Sequence, residues 1–225
     1  MKIKKMKEII ENENHLMNAE LIPLNPKNEE FNKLLSVYDK ALKQILDNIK
    51  MLQASLANFY DYNVIDHINY RIKTPESIVN KMKKKHFQLT YNNLIQKIND
   101  IAGIRIICPF QEDVFLVRNM LTNIPNIKIL KEKDYIHHPK KSGYSAYHLI
   151  VETHINFYEH VLPVKVEIQI RTMAMDFWST TEHKMRYKSR SSLSIFDSKK
   201  LSVYAKVLNI IESKIARLYQ KQLEE

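Results

Sequence analysis

Glycine is almost missing from this chain: Gly103 and Gly143 are the only two among 225 residues. So rare a glycine marks a place where the backbone must turn or approach something closely. No internal repeat and no low-complexity segment is visible along the chain. Cys108 is the single cysteine, which excludes an intrachain disulfide, and it has no partner at a zinc-like spacing. Its place in an apolar run reads as a core side chain. No apolar run approaches the roughly 18–20 residues that cross a bilayer. The first residues, MKIKKMKEIIENENH, lack the apolar stretch of a secretory signal, so a cytoplasmic location is expected.

What the chain has is positive charge. Thirty-five Lys and Arg against 25 Asp and Glu leave a net +10. That balance fits anionic partners: nucleotides, nucleic acid, acidic membranes or an acidic protein. A genome rich in A and T would give the same excess of Lys, and composition does not separate the two.

Periodicity gives a fold class. Leu34, Tyr38, Leu42, Ile45, Ile49, Leu52 and Leu56 recur every three or four residues, which predicts a long helix or a bent pair ending near Asp61. Strand-like alternation is expected at 68–73, 102–108, 127–131, 147–154 and 161–171, the last two as an antiparallel hairpin. Helices are expected from Pro75, over 92–99 and 112–122, and at 173–187 and 197–223. A mixed sheet with helices packed on it, an α+β fold, accommodates this order. Residues 1–28 read as a polar, weakly packed lead-in and 29–62 as an N-terminal helical segment. Residues 63–192 read as the core and 193–225 as a C-terminal helix, all one domain.

Four segments carry the chemistry. In YRIKTPESIVNK, Arg71 and Lys73 share one strand face, Ser77 starts the next helix and Lys81 follows one turn later. Together they form a basic cradle suited to phosphate, although a solvated basic helix would look similar. In NDIAGIRIIC, Asp100 precedes a buried strand and Arg105 interrupts its apolar run; a charge there needs a partner or a ligand. In VKVEIQIRT, Glu167, Gln169 and Arg171 alternate with apolar residues, giving one polar face, which a merely surface-exposed strand would also show. If Asp100 and Glu167 meet, their oxygens could hold Mg²⁺ and leave positions for phosphates. The fourth segment, KDYIHHPKKSGYSAYH, sets Gly143 among Lys133, Lys140, Lys141 and several His and Tyr side chains. Cations for phosphate and flat rings for a base make it a nucleotide-acceptor loop. His137 and His138 have no second cluster at metal spacing, so no zinc is assigned.

In this order, YRIKTPESI, NDIAGIRIIC, KDYIHHPKKSGYSAYHLIVE and VEIQIRTMAMDFWSTTEHKMRYK resemble the small alarmone synthetases, the single-domain RelA/SpoT-type pyrophosphokinases. The resemblance implies a nucleotidyltransferase-like mixed sheet flanked by helices, with N- and C-terminal helical extensions. It implies transfer of the β,γ-pyrophosphate of ATP to a ribose 3′-hydroxyl. Asp100 and Glu167 would be the catalytic Mg²⁺ carboxylates, Glu167 also helping to deprotonate the attacking hydroxyl. Arg71, Lys73, Ser77, Lys81 and Arg105 would hold ATP. Lys140, Tyr144, His148 and Gln169 would hold the acceptor, Tyr144 by stacking on its base. Trp178 would anchor packing, and Glu182 and His183 would support the site.

The acceptor loop departs from the usual Asn-Gly-Tyr-Arg/Gln-Ser-Leu/Ile-His pattern. Here it reads Ser142-Gly143-Tyr144-Ser145-Ala146-Tyr147-His148. An altered loop, strong positive charge and short length resemble a toxic branch that modifies the 3′-CCA adenosine of tRNA and is neutralised by an antitoxin protein. The reading placed first is therefore a tRNA acceptor, with (p)ppGpp synthesis from GDP or GTP as the alternative and an inactive nucleotide- or RNA-binding module as a distant third. The family implies either a monomer or a tetramer.

Overall fold

The computed structural model describes residues 23–157, 160–187 and 194–224. Helix α1 (Glu29–Leu56) begins where the Asn28 side chain accepts a hydrogen bond from the Phe31 amide at 2.8 Å, and Glu29 and Glu30 favour its N-terminus. It is one helix that ends at Leu56, short of Asp61, because the residues that follow close hydrogen-bonded turns. Its buried stripe runs from Phe31 through Leu42 to Ile49 and Leu56. Most of the polar lead-in lies outside the described residues, but its end is better packed than expected. The Leu24 amide donates to the Leu89 carbonyl at 2.7 Å and its side chain is buried in the core.

Strand β1 (His67–Ile72) leads into α2 (Pro75–Lys84), where Thr74 caps the helix and Pro75 occupies its first turn. Helix α3 (Tyr91–Lys97), strand β2 (Ala102–Cys108), helix α4 (Gln111–Leu121) and strand β3 (Lys128–Asp134) follow. Strands β4 (Tyr147–Phe157) and β5 (His160–Thr172) form the expected antiparallel hairpin, and α5 (Met173–Tyr187) and α6 (Ile195–Glu224) close the chain.

The five strands lie in the order β1-β2-β5-β4-β3, with β2 and β5 parallel and the other pairs antiparallel, as the mixed-sheet expectation requires. Period-two alternation divides the sheet into two faces. Ile104, Ile106, Leu149, Val151, Val166, Ile168 and Ile170 are buried in one cluster with the apolar sides of α1 and α4. Cys108 is buried in that cluster too. The opposite face carries Arg71, Arg105, His148, Glu167 and Gln169, brought side by side by register. Arg71 pairs with Gly103, Gly103 with Glu167, Arg105 with Gln169, and Gln169 with His148. Among the described residues no helix is long and apolar enough to cross a membrane.

Candidate active site

Asp100 lies just before β2, and Lys73 just after β1. The Lys73 amide donates to the Ile101 carbonyl at 2.8 Å, extending the strand pairing and setting the lysine against the carboxylate. Lys73 Nζ approaches Asp100 Oδ2 at 2.5 Å, and Lys81 Nζ from α2 approaches the same oxygen at 2.6 Å. Burial works against ionisation of Asp100, but these two ammonium groups outweigh it and hold the carboxyl below its ordinary range. Lys73 is pulled down by its own burial and by the neighbouring Lys81 and Arg71 charges, more than Asp100 raises it.

Glu167 sits across the sheet from Gly103. Its Oε2 accepts from Gln169 Nε2 at 2.8 Å, and its Oε1 lies 3.3 Å from His148 Nδ1. Burial raises its carboxyl, yet the His148 and Gln169 contacts outweigh that and leave it below the ordinary range. His148 Nε2 meets the Tyr144 hydroxyl at 2.6 Å, and that hydroxyl accepts from Arg171 at 2.7 Å. Arg171 also donates to Gln169 Oε1 at 2.8 Å, which closes a ring of five side chains: Glu167, His148, Tyr144, Arg171 and Gln169. The ring is satisfied when the Tyr144 O–H donates to Nε2 and the Nδ1–H of a neutral imidazole donates to Glu167. Burial pushes the Tyr144 phenol up against the pull of Arg171, which keeps it a neutral donor.

Arg171 is a residue that the alternation pattern named and did not place in the site. It is 3 % exposed and makes its remaining ion pair to Asp176 of α5 at 3.0 Å; Arg105 reaches the same Asp176 oxygen at 2.9 Å. Asp176 was also missed, since a helical aspartate next to Phe177 and Trp178 carries no sequence signal of two arginine partners. Arg105, which interrupts the apolar run of β2, was the available clue to a buried acidic partner.

Two cavities share the carboxylates. One, of about 180 Å³, is lined by Arg71, Arg105, Gln169 and Gly103 together with Asp100 and Glu167. The other, of about 170 Å³, is lined by Lys81, Lys85, Lys97, Lys131 and Lys133, with His148, Asp100 and Glu167. A Cβ added at Gly103 would meet nothing within 4 Å, so this glycine leaves open the floor beside Glu167. Ser77 stands outside both cavities; it is exposed and accepts from the Thr74 hydroxyl at 2.9 Å. Lys140 is exposed and lies over the rings of Tyr135 and Tyr144, at 4.7 and 4.5 Å from their centroids. Arg171 lies 5.2 Å from the Tyr144 centroid, so cations attend the ring expected to stack on a base.

Unsatisfied polar atoms concentrate here. Asp100 Oδ1, Arg105 Nε and Arg171 Nε are buried without a hydrogen-bond partner. Buried groups left so are uncommon and cluster where a ligand completes them. Among the described residues no group of three or more His, Cys, Asp or Glu forms a metal cage. Two carboxylates, one with a free buried oxygen, fit Mg²⁺, which takes few protein oxygens and leaves the rest of its shell to water and phosphate.

Comparison with known proteins identifies the family and the fold. A family profile described as the region found in RelA / SpoT proteins matches residues 70–192, which contain both cavities' carboxylates and the whole ring. The chain belongs to the RelA/SpoT family. It is 37% identical over 187 residues to GTP pyrophosphokinase YwaC of Bacillus subtilis, covering 83% of this chain and 89% of that protein. It is 34% identical over 160 residues to GTP pyrophosphokinase YjbM of the same organism, covering 71% and 74%. The crystal structure of small alarmone synthetase 1 from Bacillus subtilis bound to its product pppGpp superposes with a TM-score of 0.79 at 28% identity, over 86% of this chain and 98% of that one. Small alarmone synthetase 2 from the same organism gives 0.77 at 36% identity, over 86% and 100%. By class the chain is a pyrophosphokinase of this family.

Proposed function

We propose that the protein transfers the β,γ-pyrophosphate of ATP to the ribose 3′-hydroxyl of GDP or GTP, making (p)ppGpp. The observation that carries this reading is a pair of cavities that share the Asp100 and Glu167 carboxylates in their lining, an arrangement suited to two substrates meeting there. Arg71 and Arg105 are suited to the ATP side, where guanidinium planes stack on a base and pair with phosphate. Lys73 and Lys81 steady Asp100 and offer charge to the transferring group. The lysine-lined cavity suits the 5′-phosphates of the acceptor.

Asp100 and Glu167 would hold Mg²⁺, whose chemistry is to neutralise charge on the β- and γ-phosphates. Glu167 is placed to accept the proton of the attacking hydroxyl, with His148 and Gln169 fixing its two oxygens. The residues otherwise orient the two substrates, and orientation with charge neutralisation supplies most of the catalysis in phosphoryl transfer.

The acceptor placed first from the sequence, the tRNA 3′ end, gives way to the alternative. Relatives named GTP pyrophosphokinases or small alarmone synthetases match over most of their own length. Five lysines converge on one cavity, whereas a tRNA stem calls for cations dispersed along a phosphate track. Of the departures in the loop, Ser142 Oγ accepts from the Tyr144 amide at 3.4 Å, and Ser145, Ala146 and Tyr147 are buried, so they serve the loop's own packing. The test supplies ATP labelled at the γ-phosphate to GDP, GTP and deacylated tRNA in parallel. Label in the guanosine nucleotides is expected; label in tRNA alone would overturn this reading and restore the toxin.

A further inference from the structure

Gly143 has φ +91°, a backbone conformation that side chains rarely adopt, at the tip of the loop running from Lys140 to Tyr144. Two backbone hydrogen bonds close that loop, Gly143 N to Lys140 O at 2.8 Å and Lys140 N to Tyr144 O at 3.0 Å. The glycine also touches a distant part of the chain. A Cβ built there would lie 2.5 Å from the Cβ of Ala205 and 3.5 Å from both the Ser202 Cα and the Trp178 ring. Helix α6 therefore rests directly on the loop backbone, without room for one added carbon.

The seat of α6 is well defined at this point. Among its described residues, Leu201, Ala205, Glu212 and Ala216 are buried and share one face. Trp178 of α5 is 6 % exposed, and its indole N–H donates to the Leu201 carbonyl at 3.3 Å, one turn before Ala205. From Gly143 the chain passes to Tyr144, whose hydroxyl belongs to the ring that holds His148 and Glu167.

We propose that Ala205 is a positioning residue for acceptor binding: through it, helix α6 holds the Lys140–Tyr144 loop in its acceptor-binding shape. The inference rests on the reading of that loop as the acceptor side, and ATP binding lies outside its reach. Neither the Arg71–Arg105 cavity nor the Asp100 ion pairs involve α6. A residue acting only through fold stability would disturb both substrates alike; Ala205 acts on one.

The test compares full-length wild type with Ala205→Leu, measuring KM for ATP, KM for the acceptor that the wild type uses, and kcat, with thermal unfolding to verify the fold. Displacing the loop should raise the acceptor KM about tenfold and lower kcat through Tyr144, while the ATP KM stays within about twofold. If Ala205→Leu does not fold, Trp178→Phe decides: it removes the donation to Leu201 and the part of the indole that lies against Gly143. It should raise the acceptor KM about threefold with the same selectivity. In a folded variant, equal KM changes for both substrates, or none, overturn the proposal. A wild type that makes no guanosine product would overturn the proposed function instead, and the KM comparison would then be made with its true acceptor.

Discussion

The Tyr144 hydroxyl lies 2.6 Å from His148 Nε2, and the other nitrogen of that imidazole lies 3.3 Å from the Glu167 carboxylate. A side chain of the glycine loop is thus connected to the carboxylate proposed as the base through one histidine. Tyr144→Phe keeps the ring and removes the hydroxyl, leaving His148 Nε2 and one Arg171 N–H without their partner. Steady-state kinetics should show kcat lowered about tenfold, the effect of one charge-assisted hydrogen bond, with acceptor KM changed less because the stacking surface remains. An acceptor KM effect larger than the kcat effect would mean that the hydroxyl binds substrate.

Removing either carboxylate should be far more severe. Asp100→Asn and Glu167→Gln should each lower the rate of pyrophosphate transfer by about three powers of ten or more, since electrostatic stabilisation at the reacting group is lost. Their stability effects have a definite sign. Both carboxyls titrate below their ordinary range in the folded chain, so the stability they add is full above that range. It is lost as pH falls through the lowered folded values. Thermal unfolding followed downward from neutral pH should therefore show a shallower acid limb for Asp100→Asn than for the wild type.

Gly103 separates binding from folding. Its missing side chain leaves space between Arg71 and Glu167, and a β-branched residue suits a strand. Gly103→Val should leave the melting temperature unchanged or raise it, while ATP KM rises about tenfold or more from the filled cavity. Unchanged ATP kinetics would show that the nucleotide does not enter this cavity.

The lysine cavity predicts a dependence on acceptor charge. Lys131→Ala with Lys133→Ala should raise acceptor KM more for GTP than for GDP, and more for GDP than for GMP. The wild-type acceptor KM should rise with added salt in the same order. A double variant that raises all three equally would place the 5′-phosphates elsewhere.

Glu212 of α6 carries the opposite sign from Asp100. It is 7 % exposed, its Oε1 has no hydrogen-bond partner, and burial pushes its carboxyl up against the pull of Thr172 and Gln111. Its contribution to stability is full below the ordinary glutamate range and is lost as pH rises through the raised folded value. Glu212→Gln mimics the protonated acid. It should melt about 2–4 °C above wild type at mildly alkaline pH and together with wild type at acid pH. Equal melting at both would mean that the carboxylate is solvated.

Much of the architecture was legible because side-chain periodicity reports burial directly. The stripe from Leu34 to Leu56 marked α1, and the alternation Val166–Arg171 marked a strand with one polar face. Errors fell at element ends, where capping and turns decide. The stripe stops at Leu56 because turns take over. Ser77 lies in the first turn of α2 and is not among the residues lining either cavity.

The sequence by itself determined the strand and helix types, one carboxylate before a strand and one within a strand, the basic residues near them and the family. Each of these is written in local spacing or in ordered motifs. Only the tertiary structure decided which strands are neighbours, because alternation assigns a side chain to a face and says nothing of what lies across the sheet. Parallel pairing of β2 with β5 set Gly103 beside Glu167 and Arg105 beside Gln169. The same packing gave Arg171 and Arg105 a shared partner in Asp176, gathered Lys81, Lys85, Lys97, Lys131 and Lys133 from separate segments into one cavity, and laid Ala205 on Gly143. These contacts join residues far apart in the chain, and they exist only once the hydrophobic face of the sheet has been buried and its polar face is held in register.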